Sequence, residues 1–275
     1  MSPAVAWHLE PVSDPTDVRL TAFRDLTDVD LRRAIEARSG LFMAEGLLVI
    51  ERVASMGLAI DAVLTTPKWL DRLAKILPDF SGPIFVADEE ILRQVTGYRV
   101  HRGALACVQR PPGQPLSQLV SAPGDLLVLG DLVDHTNVGL AMRSAAALGV
   151  AGAVLSPACA DPLYRRAVKS SMGAVLALPW TRAENWPDDL ERLGARSVVA
   201  LTPDPDAPLI DEVLRRSGHS DVALVVGSEG PGLSAGEFAR CQERARIAMD
   251  AGIDSLNVAA AVAVACYALR MRRTP

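Results

Sequence analysis

Two runs in the chain, Leu126-Leu127-Val128-Leu129 and Val222-Ala223-Leu224-Val225-Val226, have no polar residue at any position. A strand with one solvated face alternates apolar with polar; a run without alternation suits a strand covered on both faces. Each run ends in a polar, glycine-containing loop. Each loop leads into a helical pattern, Val138 to Leu148 after the first and Ala235 to Glu243 after the second. Repeated strand–loop–helix units predict parallel strands joined by crossover helices. Ala153 to Leu155, Ser197 to Leu201 and Arg246 to Met249 fit further strands. Leu163 to Ser171, Leu209 to Arg216 and Leu256 to Arg272 fit further helices. The second half therefore reads as an α/β domain with a parallel sheet, whose ligands belong at the carboxyl ends of the strands.

The first half reads as a smaller α/β domain. Val18 to Arg38, Phe42 to Met56, Trp69 to Leu77 and Glu89 to Thr96 carry helical patterns. Asp61 to Thr66, Pro83 to Ala87 and Ala104 to Gln109 read as strands. Pro111-Pro112-Gly113-Gln114-Pro115 and Ser121-Ala122-Pro123-Gly124 form the clearest break. The expected division is residues 1–113, a linker at 114–124 and a second domain at 125–275.

Hydrophobic residues make up 49% of the chain and charged residues 22%, as in a globular protein. A net charge of -5 excludes a protein that grips nucleic acid by bulk positive charge, though not one with a local basic patch. Cys107, Cys159, Cys241 and Cys266 lack C-x-x-C spacing, so no zinc or redox motif is expected. Trp7, His8, Glu10 and Asp14 stand where a signal peptide needs a basic and then an apolar run. The most apolar stretch, Val258 to Leu269, is too short for a bilayer. A cytoplasmic location is the expectation.

Three strand–loop–helix segments carry the candidate chemistry: Leu129 to Arg143, Val225 to Ser234 and Ile247 to Ala259. Singly, each has a plain reading. Asn137 and Ser255 suit helix caps, and Arg143 suits a solvated helix face. Gly227 to Ser234 fits the frame of a P-loop, but Leu233 stands where the phosphate-binding lysine belongs, which argues against a nucleotide triphosphatase.

Together the three segments resemble the motifs of the SpoU (TrmH) family, RNA ribose 2'-O-methyltransferases of the SPOUT class. Asn137, Gly139 and Arg143 match N-x-G-x-x-x-R. Gly227 to Ser234 match G-S-E-G-x-G-L-S. Ile247, Met249, Ser255, Leu256, Asn257 and Val258 match the third motif, with Ala248 in place of its proline and Gly252 one place off its glycine. Lys169-Ser170-Ser171-Met172-Gly173-Ala174 is similar to a stretch between the first two motifs. Phe42-Met43-Ala44-Glu45-Gly46 and His101 to Ala106 resemble segments of the family's substrate-binding domain.

The resemblance implies a C-terminal trefoil-knotted SPOUT methyltransferase domain, an N-terminal L30e-like α/β substrate-binding domain, and a homodimer with the active site at its interface. It implies S-adenosylmethionine as cofactor, with contacts at Leu201, Thr202, Gly227, Gly230, Ile247, Met249 and Leu256. It implies methyl transfer to a ribose 2'-hydroxyl of a structured RNA, ribosomal favoured over transfer RNA. Catalytic candidates are Asn137, Arg143, Glu229, Ser255 and Asn257. Arg143 matches the arginine proposed as general base in the family; a guanidinium is normally always protonated, which favours orienting phosphate and stabilising charge instead. Arg99, His101, Arg102, Arg165, Arg166 and Lys169 are candidate phosphate contacts. The alternative is a non-catalytic RNA- or ribosome-binding protein that keeps the fold.

Overall fold

The computed structural model describes residues 7–27, 39–100, 103–193, 195–218, 220–250 and 255–273. The chain packs as two compact units, one of residues 1–111 with 163–173, the other of residues 112–162 with 174–275.

The first unit is built on strands β1 (His8–Pro11), β2 (Leu41–Glu45), β3 (Ile60–Thr65), β4 (Pro83–Val86) and β5 (Leu105–Gln109). Their order is β1-β4-β3-β5-β2. β1, β4 and β3 run parallel, while β5 is antiparallel to both β3 and β2, so the sheet is mixed. Helices α1 (Leu47–Ser55), α2 (Leu70–Ile76) and α3 (Glu89–Thr96) join them. The expected helix over Phe42 to Met56 is instead β2 followed by α1. Phe42, Met43 and Ala44 are all fully buried, so this strand shows no alternation to mark it. Gly46, at φ 96°, makes the break between strand and helix. Over Val18 to Arg38 the described part holds only a 3-10 helix, Val18–Phe23, begun by Asp17, whose carboxylate accepts from Arg19 N at 2.9 Å. Its Leu20 and Phe23 are buried in the core with Leu26, and residues 28–38 lie outside the described residues.

The second unit contains an all-parallel sheet. It begins with α4 (Leu116–Ser121), inside the segment expected to be linker. Leu116 and Leu119 enter the core beside Leu190, Leu193 and Leu233, which explains why this stretch is helical and held. Then follow β6 (Leu126–Leu129), α5 (His135–Ala147) and β7 (Gly152–Leu155). The next helix, α6 (Arg165–Ser170), belongs to the first unit. The second unit resumes with α7 (Ala174–Ala177), β8 (Trp180–Arg182), β9 (Ser197–Leu201), α8 (Ile210–Ser217), β10 (Val222–Val226), α9 (Ala235–Phe238), β11 (Glu243–Ala245) and α10 (Val258–Met271). The sheet order is β11-β9-β10-β6-β7-β8. β6 and β10 are buried along their whole length, as their unbroken apolar runs require.

Two boundaries differ from the sequence pattern. The helix expected over Ala235 to Glu243 stops at Phe238. The last strand is Glu243–Ala245, not Arg246 to Met249, and Arg246 makes only an isolated bridge with Leu209. Gln242 explains the shift. Its backbone N donates to Val198 O at 2.9 Å and its side chain accepts from Val198 N at 2.7 Å, which starts the pairing of β11 with β9 three residues early.

Candidate functional site

From β6 the chain proceeds outward through β7 and β8, then returns to the opposite side of β6 with β9 and β10. The order therefore reverses between β6 and β10. Parallel sheets bind ligands at such a point, at the carboxyl ends of the strands. Asn137, in the first turn of the helix after β6, and Glu229, in the loop after β10, lie here.

Asp134 starts α5 by accepting from Asn137 N at 2.8 Å. This puts Asn137 in the first turn, half-buried, at the carboxyl end of β6. After β10, Gly227 permits a fold-back that no other residue allows: a Cβ there would lie 2.4 Å from Gly232 C and 2.5 Å from Leu233 N. Ser228 and Gly232 close the loop by an antiparallel bridge, leaving Glu229 and Gly230 exposed at its tip. Leu233 plugs into the core, so the P-loop-like frame is anchored by an apolar side chain where a triphosphatase would present a cation.

The third segment supplies Asn257, the N-cap of α10. Its Oδ1 accepts from Ala259 N at 3.0 Å and from Ala260 N at 3.4 Å. Capping fixes the orientation of the amide, so Nδ2 must face away from the helix. It donates to Glu229 Oε1 at 2.7 Å and to Asn137 Oδ1 at 3.1 Å. Val258 N also reaches Glu229 Oε1, at 3.4 Å. The carboxylate thus sits on the amino end of a 14-residue helix, where the helix dipole favours negative charge. One residue from each motif meets in a single hydrogen-bonded cluster. With its oxygen committed to Asn257, the amide nitrogen of Asn137 has no hydrogen-bond partner among the described residues, leaving two donors for an incoming oxygen.

Arg143 is not part of that cluster. It is exposed and makes no hydrogen bond or ion pair among the described residues. Asn137 and Arg143 lie on α5 about 120° apart in projection and about 9 Å apart along the axis. Arg143 shares its face with Thr136, Leu140 and Ala147, all exposed. Ser255 is exposed as well.

The other motif positions fall at the carboxyl edge of the sheet. Leu201 ends β9, and Thr202 N donates to Ala245 O at 2.9 Å. Ile247 and Met249 follow β11 and are partly exposed, while Leu256, just before the Asn257 cap, is 39% exposed. These apolar side chains and the close-approaching Gly227 backbone offer a flat aromatic ligand both contact and desolvation.

The candidate phosphate contacts separate. Arg166 is exposed with no partner among the described residues. Arg99 lies 3.5 Å from Glu89 at the surface, a pair worth little. His101 and Arg102 lie outside the described residues. Arg165 does not suit the role: it is 7% exposed, and its Nη1 donates to Glu45 Oε2 at 2.6 Å. Lys169 Nζ donates to Glu45 Oε1 at 2.6 Å, and Tyr98 OH donates to Oε2 at 2.9 Å. Burial alone would raise the Glu45 carboxyl. The Lys169 hydrogen bond and the Arg165 and Lys169 charges outweigh it and hold the group below its ordinary value. Burial and the Glu45 charge push the Tyr98 phenol up. This network, which ties α6 to β2, was not legible beforehand, because its partners lie 120 and 124 residues apart.

Residues 125–267 match the SpoU rRNA Methylase family. An uncharacterized tRNA/rRNA methyltransferase of Mycobacterium tuberculosis is 39% identical over 262 residues, covering 94% of this chain and 91% of the relative. Among solved structures, the AdoMet-bound rRNA methyltransferase of Sinorhizobium meliloti is similar with a TM-score of 0.81 at 25% identity, over 97% of this chain and 99% of that one. The AdoMet complex of the SpoU methyltransferase AviRb from Streptomyces viridochromogenes shares the fold, with a TM-score of 0.78 at 22% identity over 94% and 99% of the two chains.

Proposed function

Because this chain belongs to the SpoU rRNA methylase family, we propose that it transfers a methyl group from S-adenosylmethionine to a ribose 2'-hydroxyl of a structured RNA. Ribosomal RNA is favoured over transfer RNA, in line with the rRNA methyltransferase of Sinorhizobium meliloti that it resembles along nearly its full length. The observation that carries the reading is the convergence of Asn137, Glu229 and Asn257 beside the sheet's reversal point.

Leu201, Ile247, Met249 and Leu256, with the Gly227 backbone, would hold the adenosine. Thr202 and Gly230 border the same edge. S-adenosylmethionine supplies, when bound, a methyl group already activated on a sulfonium. The protein's share is therefore chiefly positioning. The free donors of Asn137 suit a ribose or phosphate oxygen. Asn257 holds Asn137 in that orientation, and Glu229 locks Asn257. A guanidinium is a donor with no acceptor lone pair to offer, so Arg143 orients phosphate and offsets developing negative charge rather than acting as a simple base. Ser255 lies beside the cap and supports the loop.

A second copy of the chain completes this reading. Helices α5 and α10 pack together, and α10 leaves Val264, Tyr267 and Met271 exposed at 43%, 55% and 46%. Their spacing puts them on one face. Leu140, at 36% exposure, precedes Arg143 on the face of α5 that also stays open. A homodimer through these helices would cover the apolar stripe and bring Arg143 into an interface.

Titration with S-adenosylmethionine in a calorimeter, paired with methyl incorporation into ribosomal and transfer RNA, tests the proposal. Binding with incorporation supports it. Absence of both leaves the non-catalytic RNA-binding alternative.

A further inference from the structure

The first unit contains a cavity of about 700 Å³. Leu47, Leu48, Trp69 and Met172 form apolar walls, and Arg72 and Lys169 stand among them as cations. The Trp69 ring carries two positive groups: Lys68 Nζ lies 5.2 Å from its centroid and the Arg72 guanidinium carbon 5.6 Å. Both cationic residues are exposed, and Leu48, 47% exposed, is an uncovered apolar residue beside them.

Lys169 is placed rather than loose. Its side chain is 55% exposed, yet its ammonium is fixed at 2.6 Å from a carboxylate that is 5% exposed. That carboxylate, Glu45, faces both Lys169 and the buried Arg165, so two positive charges meet one negative charge. Among the lining residues Arg72 and Lys169 are positive and Glu45 is negative, so the wall is net positive on a chain whose overall charge is -5. A flat aromatic surface, apolar walls and fixed cations suit a ligand that combines a flat ring with negative charge. An acidic peptide would satisfy the cations but leave the ring and the leucines unused.

We propose that this cavity receives one unstacked nucleotide of the RNA substrate, its base stacked on Trp69 and its phosphates against Arg72 and Lys169. The assignment rests on RNA being the substrate. Single-stranded RNA is generally held by this pairing of aromatic stacking with a cationic track. Trp69 is thereby a substrate-binding residue outside the methyl-transfer cluster.

The test uses the full chain and two probes, a fluorescently labelled 12-mer of oligoadenylate RNA and a 12-base-pair RNA duplex. Oligoadenylate should bind, raise probe anisotropy and quench tryptophan fluorescence, and the duplex should bind more weakly. Trp69→Leu should weaken oligoadenylate binding by about tenfold to a hundredfold. Trp69→Phe should retain most of the binding while losing the quench. Arg72→Ala, an exposed change that leaves the fold alone, should lower the slope of log affinity against log salt by about 0.7. In methylation assays Trp69→Leu should raise KM for RNA with little change in kcat, and S-adenosylmethionine binding should be unaltered. Unchanged oligoadenylate affinity in both Trp69→Leu and Arg72→Ala overturns the proposal, as does equal competition by polyglutamate. The two readings fail separately. A wild-type protein that methylates RNA while ignoring Trp69 sinks only the cavity. One that binds oligoadenylate through Trp69 but methylates no RNA sinks only the methyltransferase reading.

Discussion

Asn257 donates its side-chain amide to Asn137 at 3.1 Å, joining two motifs that stand 120 residues apart in the chain. Because the other end of the Asn257 amide caps α10, this contact couples the folding of the last helix to the orientation of the candidate ribose ligand.

Asn257→Ser should separate these two roles. Serine caps a helix nearly as well as asparagine but cannot span to Asn137 and Glu229. Thermal stability should change by less than about 1 kcal/mol, while turnover falls at least tenfold. Asn257→Asp keeps the cap but sets a carboxylate against Glu229, and should lower turnover further. Melting curves and single-turnover methylation read the two effects.

Arg143 is exposed and has no partner among the described residues, so its removal should leave stability within about 0.5 kcal/mol. Arg143→Ala should nevertheless cut turnover by orders of magnitude, with affinity for S-adenosylmethionine unchanged. Arg143→Lys should not restore it, since an ammonium lacks the planar, bidentate fork. Near-normal methylation by both variants would reduce Arg143 to a surface charge.

Glu45→Gln should destabilise the first unit at neutral pH by about 3–5 kcal/mol, because Arg165 is then left buried without its counter-charge. The pH dependence has a definite sign. The folded Glu45 carboxyl is held below its ordinary value, so its contribution is complete above about pH 4.3 and is lost as pH falls through the folded value. Chemical denaturation between pH 3 and 7 should show a gap between wild type and variant that closes toward the acid end. A constant gap would contradict the assignment.

Tyr267→Glu puts a charge in the middle of the exposed stripe on α10. Light scattering at micromolar concentration should show a dimer for the wild type and a monomer for the variant, with helical content preserved. A monomeric wild type would remove the proposed interface.

The parallel sheet was legible because β6 and β10 are apolar throughout, a pattern that burial on both faces imposes. The same physics misled at β2: Phe42, Met43 and Ala44 are equally buried, but the run flows into α1 through a single glycine, so strand and helix merged into one helical pattern. Within the Pro- and Gly-rich stretch after residue 111, α4 was not legible. Its hold on the core comes from two buried leucines, Leu116 and Leu119, with Val120 packed beside them. At the site, the resemblance of three segments to the family's motifs made Asn137, Glu229 and Asn257 candidates, and only the fold brought them into contact. Arg165 shows the limit most clearly. Its sequence neighbourhood looks like a solvated basic helix, and its burial is decided by Glu45, 120 residues away.

The most direct test of methyl transfer to ribose follows the label from methyl-tritiated S-adenosylmethionine into RNA and then hydrolyses the product with alkali. A 2'-O-methyl group removes the hydroxyl that alkali needs, so the label should remain in alkali-resistant dinucleotides and be absent from the Arg143→Ala reaction. Label released with ordinary mononucleotides would mean a methylated base, and no label in any ribosomal or transfer RNA would mean no transferase; either result contradicts the account.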